Sequence, residues 1–244
     1  MTDQLTRVRP PGAKAERTRA TILAAAEQVF AEKGYAAARL EDVAARVGIR
    51  RASLVYHFRN KRELYEAVLG AVLGELLVRY RAVLGGDVPL AERLAGVVRV
   101  WVSFVGERPT LARLLLWEVA EASATSLATR FIEPVLATLT ATIVDGQREG
   151  VFRRLEPTPV IFALTGATVF FVTATPALAP GVQTSALGPA RLKEFGDEMV
   201  SLARRLLEGD DAEHGRETKD DRWQNRDVAT EYVVRQTPER SAHG

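Results

Sequence analysis

The 244-residue chain contains no cysteine, which excludes disulfides, thiolate metal centres and cysteine redox chemistry. Its three histidines, His57, His214 and His243, are far apart in sequence, so a histidine-based metal site is not expected. The sequence also lacks a Gly-Lys-Ser/Thr phosphate loop, a G-x-G-x-x-G turn, an H-E-x-x-H helix and a G-x-S-x-G elbow. Paired carboxylates assembled only by folding would leave no such trace, but the expectation is a protein that is no enzyme and uses no cofactor and no metal. Strand-like alternation is absent throughout, which points to an all-α fold. No apolar run reaches the ~18–20 residues of a membrane span. The nearest, Val160 to Ala174, is interrupted by Thr165, Gly166, Thr168 and Thr173 and reads as a buried helix of a cytoplasmic protein with no membrane partner. Met1 to Gly12 is polar, carries Pro10-Pro11 and lacks the apolar core of a secretory signal.

Against these absences, 47% of the residues are hydrophobic, enough to supply a sizeable core. Charge is unevenly placed. Residues 1–62 hold 13 Lys or Arg against 6 Asp or Glu, whereas the remainder holds 20 against 25. A basic head on an acidic body implies that only the head meets a polyanion.

Residues 1–14 read as a flexible basic arm carrying Arg7, Arg9 and Lys14. A first helix is expected from about Ala15 to Lys33, with Ile22, Ala26, Val29 and Phe30 as its apolar stripe, Glu27, Glu32 and Lys33 facing water, and Gly34 as its end. Leu40, Val43, Ala44 and Val47 then recur at helical spacing. Gly48 stops that helix, and Ile49, Leu54 and Phe58 start another at once, the signature of a helix-turn-helix. Asn60 is a natural N-cap for a long helix to Leu84, and Glu63 is placed to reach back toward the cap's N–H. Further helices are expected over 90–105, 110–122, 127–150, 158–175 and 190–207. The last 36 residues, 209–244, carry 9 acidic and 6 basic side chains, the isolated aromatics Trp223 and Tyr232, and no periodicity, and read as a disordered charged tail.

The phrases Gly34-Tyr35, Leu40-Glu41-Asp42-Val43-Ala44, Val47-Gly48-Ile49, Ser53-Leu54, Tyr56-His57-Phe58 and Lys61 with Leu64 stand at spacings that resemble the helix-turn-helix of TetR-family transcriptional regulators. A weaker echo continues in Gly146-Gln147-Arg148-Glu149-Gly150-Val151-Phe152. The resemblance implies a DNA-binding domain over 15–60 and a helical effector-binding and dimerisation domain over 61–208. It further implies a homodimeric, ligand-responsive repressor whose partners are double-stranded DNA with a palindromic operator, a small and largely apolar effector, and a second copy of itself.

Arg39, Arg50, Arg51, Ser53, Val55, Tyr56, His57 and Lys61 are the candidate DNA contacts, Lys61 as a phosphate clamp. Several positions depart from the family's pattern. Arg39 and Arg50 stand where Ser or Thr often caps a helix, Ala52 replaces a frequent Gly, and Val55 replaces a customary Tyr, offering instead an apolar contact to a thymine methyl. These departures keep open an alternative: a helical ligand-binding or adaptor protein whose helix-turn-helix has lost specific DNA binding. In the body, Trp101, Phe104, Trp117, Phe131 and Phe162 are candidate cavity residues, with Glu118 or Glu121 as polar elements. Phe162, Val169 and Phe170, with Leu192, Phe195, Met199, Leu202 and Leu206, offer apolar faces for a dimer interface.

Overall fold

The computed structural model describes residues 13–120, 129–178 and 188–208. The expected arm (except the backbone of its last two residues), the tail from 209 with its aromatics and two histidines, and Glu121 lie outside the described residues. Within them the chain is all-α: α1 (Ala13–Ala37), α2 (Leu40–Val47), α3 (Arg51–His57), α4 (Lys61–Leu84), α5 (Leu90–Glu107), α6 (Pro109–Ala120), α7 (Thr129–Arg148), α8 (Pro157–Leu178) and α9 (Pro189–Glu208).

The stripe Ile22, Ala26, Val29 and Phe30 is buried as its spacing requires. Gly34 interrupts α1 with φ of 74°, a left-handed conformation that glycine adopts without steric cost. Helix resumes for one more turn, closed by the Ala38 N–H on the Gly34 carbonyl at 3.3 Å, and this turn is why α1 outruns its expected end at Lys33. Glu27 does not face water. It is 15% exposed, accepts a hydrogen bond from the Thr110 hydroxyl and lies near Arg108, because α6 packs across α1.

The two helix starts without conventional caps are handled differently. Arg39 provides no side-chain acceptor at the head of α2, but the Asp42 carboxylate reaches back to the Arg39 N–H at 3.0 Å, half of a capping box. Lys33, 2.8 Å from the other oxygen of Asp42, and that N–H hold the carboxyl below its ordinary pKa. Arg50 gives α3 no side-chain cap at all. At α4, Asn60 caps the Glu63 N–H at 2.8 Å, and Glu63 accepts in return from Arg59, one residue earlier than expected.

One buried cluster runs continuously from Ile22 on α1 to Leu207 on α9. Leu64, Val68, Leu69, Val72, Leu76 and Tyr80 are buried along α4, so this helix contributes to the core from the helix-turn-helix end to the body. In the body α9 lies chiefly along α5, while α8 packs on α5, α6 and α7. The apolar helix α8 is long enough to cross a membrane by length and composition, and one third of it is buried in this chain. Val160, Ile161, Leu164, Thr168 and Val172 face inward, while Phe162 and Phe170 are exposed.

The Gly146 to Phe152 phrase is a turn with a packing requirement. Gly150 takes φ of 73°, which lets the Val151 and Phe152 N–H groups both donate to the Gly146 carbonyl, at 2.8 and 3.0 Å. The Phe152 ring then lies where a Cβ on residue 146 would sit, 2.1 Å from its nearest carbon. Gly146→Ala should therefore displace that ring and cost about 1–3 kcal/mol, the usual range for overpacking, measured as a lower urea midpoint at unchanged m-value.

Candidate nucleic-acid interface

The turn between α2 and α3 depends on Gly48, with φ of 74° and ψ of 31°. No atom lies within 4 Å of a Cβ built there, so the left-handed backbone, not space, demands glycine. Gly48 and Ile49 donate to the Ala45 and Ala44 carbonyls at 3.2 and 3.0 Å, closing α2 and aiming the chain into α3. Leu54 and Phe58 anchor α3 in the core, and Ile49 packs against its edge. The opposite face is open. Tyr56 is 85% exposed, Arg50, Arg51 and Ser53 are exposed beside it, and His57 is half-buried with its ring edge-on to Tyr56.

Charge on this face is unequal in availability. Arg51 forms an exposed ion pair with Glu41 at 2.7 Å, an interaction typically worth ~0–1 kcal/mol that a phosphate can displace. Arg39 and Arg50 make no ion pair among the described residues, and neither does Arg59. Arg46 is bound to Glu32 through two contacts, at 2.9 and 2.6 Å, which lowers the Glu32 pKa and ties α2 to α1. Arg62 pairs along α4 with Glu66. Arg19, which the sequence pattern did not single out, places its guanidinium 4.9 Å from the centre of the Phe58 ring and adds a cation beside the end of α3.

Two expected contacts sit differently. Val55 is half-buried and packs against the core, so its side chain is only partly available to a groove. Lys61 is already engaged by its own protein: its ammonium donates to the carbonyls of Tyr35, Ala36 and Ala38 at 2.7, 3.0 and 3.1 Å. It also lies 4.6 Å from the centre of the Tyr35 ring. The left-handed turn at Gly34 brings those carbonyls round, and the Tyr35 ring packs with Phe30 and Tyr65, which themselves meet edge to face. The arrangement is a lock between the end of α1 and the start of α4.

In the body, an apolar cavity of about 40 Å³ lies between α5, α7 and α8, with Tyr80 of α4 and Leu207 of α9 completing the wall. Of the expected ligand contacts, Trp101 lines it. The others are engaged elsewhere. Phe104 is buried with the guanidinium groups of Arg79 and Arg108 at 4.7 and 5.3 Å from its ring centre. Trp117 donates to the Ala31 carbonyl at 3.2 Å, and Glu118 accepts from the Tyr65 hydroxyl, so the two bind α6 to α1 and α4. Phe131 packs against Gly70, and Phe162 is 58% exposed. Helical spacing identified these side chains as apolar or amphipathic but carried no information about which neighbour each would meet.

The family model "Bacterial regulatory proteins, tetR family" matches residues 22–68, the segment that contains the turn and the lock. The helix-turn-helix segment is thus that of the TetR family of transcriptional regulators. It is 25% identical over 193 residues to the HTH-type transcriptional regulator RutR of Escherichia coli K12, covering 77% of this chain and 88% of that protein. Its fold is similar to that of a TetR-family regulatory protein from Rhodococcus RHA1, with a TM-score of 0.64, 22% identity, and coverage of 78% and 97% of the two chains. It is also similar to Bacillus subtilis FadR, solved in complex with stearoyl-CoA, with a TM-score of 0.63, 18% identity, and coverage of 78% and 98%. Like these proteins, this chain joins an N-terminal helix-turn-helix to a C-terminal helical region.

The lock yields a direct test. Lys61→Ala leaves three carbonyls without their cation and should cost about 1.5–3 kcal/mol, the range for hydrogen bonds to a charged group, read as an earlier thermal or urea transition.

Proposed function

We propose that this TetR-family regulator is a cytoplasmic homodimeric repressor that binds a palindromic operator and is released by a small, largely apolar effector. In this reading residues 15–60 are the DNA-binding domain and 61–208 the effector and dimerisation domain. The observation that carries the DNA contact is the open face of α3: Tyr56 at 85% exposure beside Arg50, Arg51 and Ser53, on a helix held rigidly by Leu54 and Phe58. Arg39 and His57 border that face, and Lys61 acts as a positioning residue rather than as a free phosphate clamp. Occupancy alone blocks a promoter, which favours repression. The experiment is a fluorescence-anisotropy titration against DNA flanking the protein's own gene. Sequence-selective, salt-dependent binding is expected, and its absence would leave the adaptor reading in its place. Arg50→Ala should flatten the dependence of log K on log salt by about one unit, while Lys61→Ala, if still folded, should leave that slope unchanged.

Pairing of two copies is supported by α8. Phe162 and Phe170, eight residues apart and therefore on one helix face, are 58% and 65% exposed with Gly166 between them. Such a stripe is what an isologous contact would cover. Val169 is instead buried within its own chain, Phe195 stacks on Phe171 at 3.9 Å, and Leu192, Met199, Leu202 and Leu206 are half-buried. These residues would support the interface mainly from behind. Phe170→Glu should convert the dimer to monomer in sedimentation equilibrium while leaving the helical circular-dichroism signal intact.

A further inference from the structure

Ser53 stands in a setting that recurs nowhere else in the chain. Of the three Arg-Arg pairs, at 50–51, 153–154 and 204–205, only the first has a hydroxyl residue two positions further on. The segment Arg50-Arg51-Ala52-Ser53 is exposed throughout. The Ser53 hydroxyl makes no hydrogen bond among the described residues, whereas Thr21 and Ser103 return theirs to the carbonyl four residues back in the helix. Both arginines are within reach of a partner as well. Arg50 makes no ion pair among the described residues, and the pair of Arg51 with Glu41, at 2.7 Å, is exposed on both sides. Two guanidinium groups, three and two residues ahead of a free hydroxyl, form a pattern that an acidic cleft can read, and protein kinases select substrates by such charge patterns.

A kinase takes its acceptor in an extended segment, so the residues before Ser53 must be able to leave their helix. Helix α3 has only seven residues and no side-chain cap at Arg50. Its first turn closes through the Ser53 and Leu54 N–H groups, which donate to the Arg50 carbonyl at 2.9 and 3.3 Å. The uncapped end of a short helix opens at low cost. The buried anchors Leu54 and Phe58 follow the acceptor in the chain, so residues 50–53 can be drawn out ahead of them.

We propose that Ser53 is the acceptor site of a serine protein kinase with an acidic substrate cleft, and that the phosphate placed there switches DNA binding off. In the transfer the Ser53 Oγ bonds to the γ-phosphorus of ATP, the bond from that phosphorus to the bridging oxygen breaks, ADP leaves, and the hydroxyl proton passes to a base of the kinase. Phosphoserine carries a charge of about −1.5 to −2 at neutral pH. On the open face of α3 it repels the phosphates of DNA and occupies the Arg50 and Arg51 guanidinium groups that would otherwise meet them. Both effects oppose the complex. The switch rests on the reading of α3 as the DNA-contacting face, while the acceptor assignment does not.

The test incubates the full-length protein with magnesium ATP and the catalytic subunit of cyclic-AMP-dependent protein kinase, a serine kinase that selects paired arginines ahead of its acceptor. The product is followed by intact mass, by mapping of the modified peptide, and by anisotropy titration against DNA flanking the protein's own gene. A gain of one phosphoryl mass should map to Ser53 and be lost in Ser53→Ala, and Arg50→Ala should slow the transfer at least tenfold. The modified protein should bind the DNA at least tenfold more weakly than mock-treated protein, with its helical circular-dichroism signal unchanged, and phosphatase treatment should restore binding. No transfer to the wild-type chain, transfer undiminished in Ser53→Ala, or DNA binding unaffected by phosphate on Ser53 would each overturn the proposal. Phosphate on Ser53 of a protein that binds no DNA in either form would uphold the acceptor site and remove the DNA-binding reading together with the switch.

Discussion

The contact on which the head depends is a lysine ammonium held by three backbone carbonyls. Lys61, at the first position of α4, closes over the end of α1 only because Gly34 turns the chain through a left-handed conformation and presents the carbonyls of Tyr35, Ala36 and Ala38 together. A cation at the C-terminal end of a helix also meets the negative end of its dipole. The consequence reaches α3. Helices α2 and α3 lie in the chain between the two locked elements, so the exposed face of α3 is fixed against α4 at Lys61 and against the core at Leu54 and Phe58.

From that lock, the body is reached through α6. Trp117 and Glu118 on α6 bond to Ala31 on α1 and Tyr65 on α4, while Thr110 at the other end of α6 donates to Glu27. Arg108 extends the connection, pairing with Glu75 at 2.9 Å; Arg79 pairs with the same carboxylate, and the two guanidinium groups outweigh burial and lower its pKa. Because α6 also packs on α8, a displacement at the cavity wall has a continuous route of packed and hydrogen-bonded groups to α1. The cavity and the exposed face of α3 thus bear on one set of helices.

Opposing electrostatic designs serve the two ends. At the head, cations are distributed between structural use, as in Arg46 with Glu32, and open availability, as in Arg50. In the body the cavity wall carries neither charge nor exposed polar surface. A surface for a polyanion benefits from exposed charge in high dielectric, whereas a buried chamber makes every unpaired charge costly.

The sequence by itself determined the helix order, the turn at Gly48, the Asn60 cap and the apolar stripe of α1, because each follows from local conformational preference and a 3.6-residue period. It also determined which residues of α3 are solvent-facing, since Leu54 and Phe58 fix the inward side. Tertiary structure decided everything that depends on a distant partner. Lys61 reads as a free cation until Gly34 bends α1 beneath it; Glu27 reads as a surface acid until α6 crosses it. Phe104, Trp117 and Glu118 suit a ligand cavity by composition but bind neighbouring helices, while the ring of Trp101 lines the apolar cavity. Periodicity specifies the side of a helix on which a residue lies, and only the packing of helices far apart in the chain specifies what that side meets.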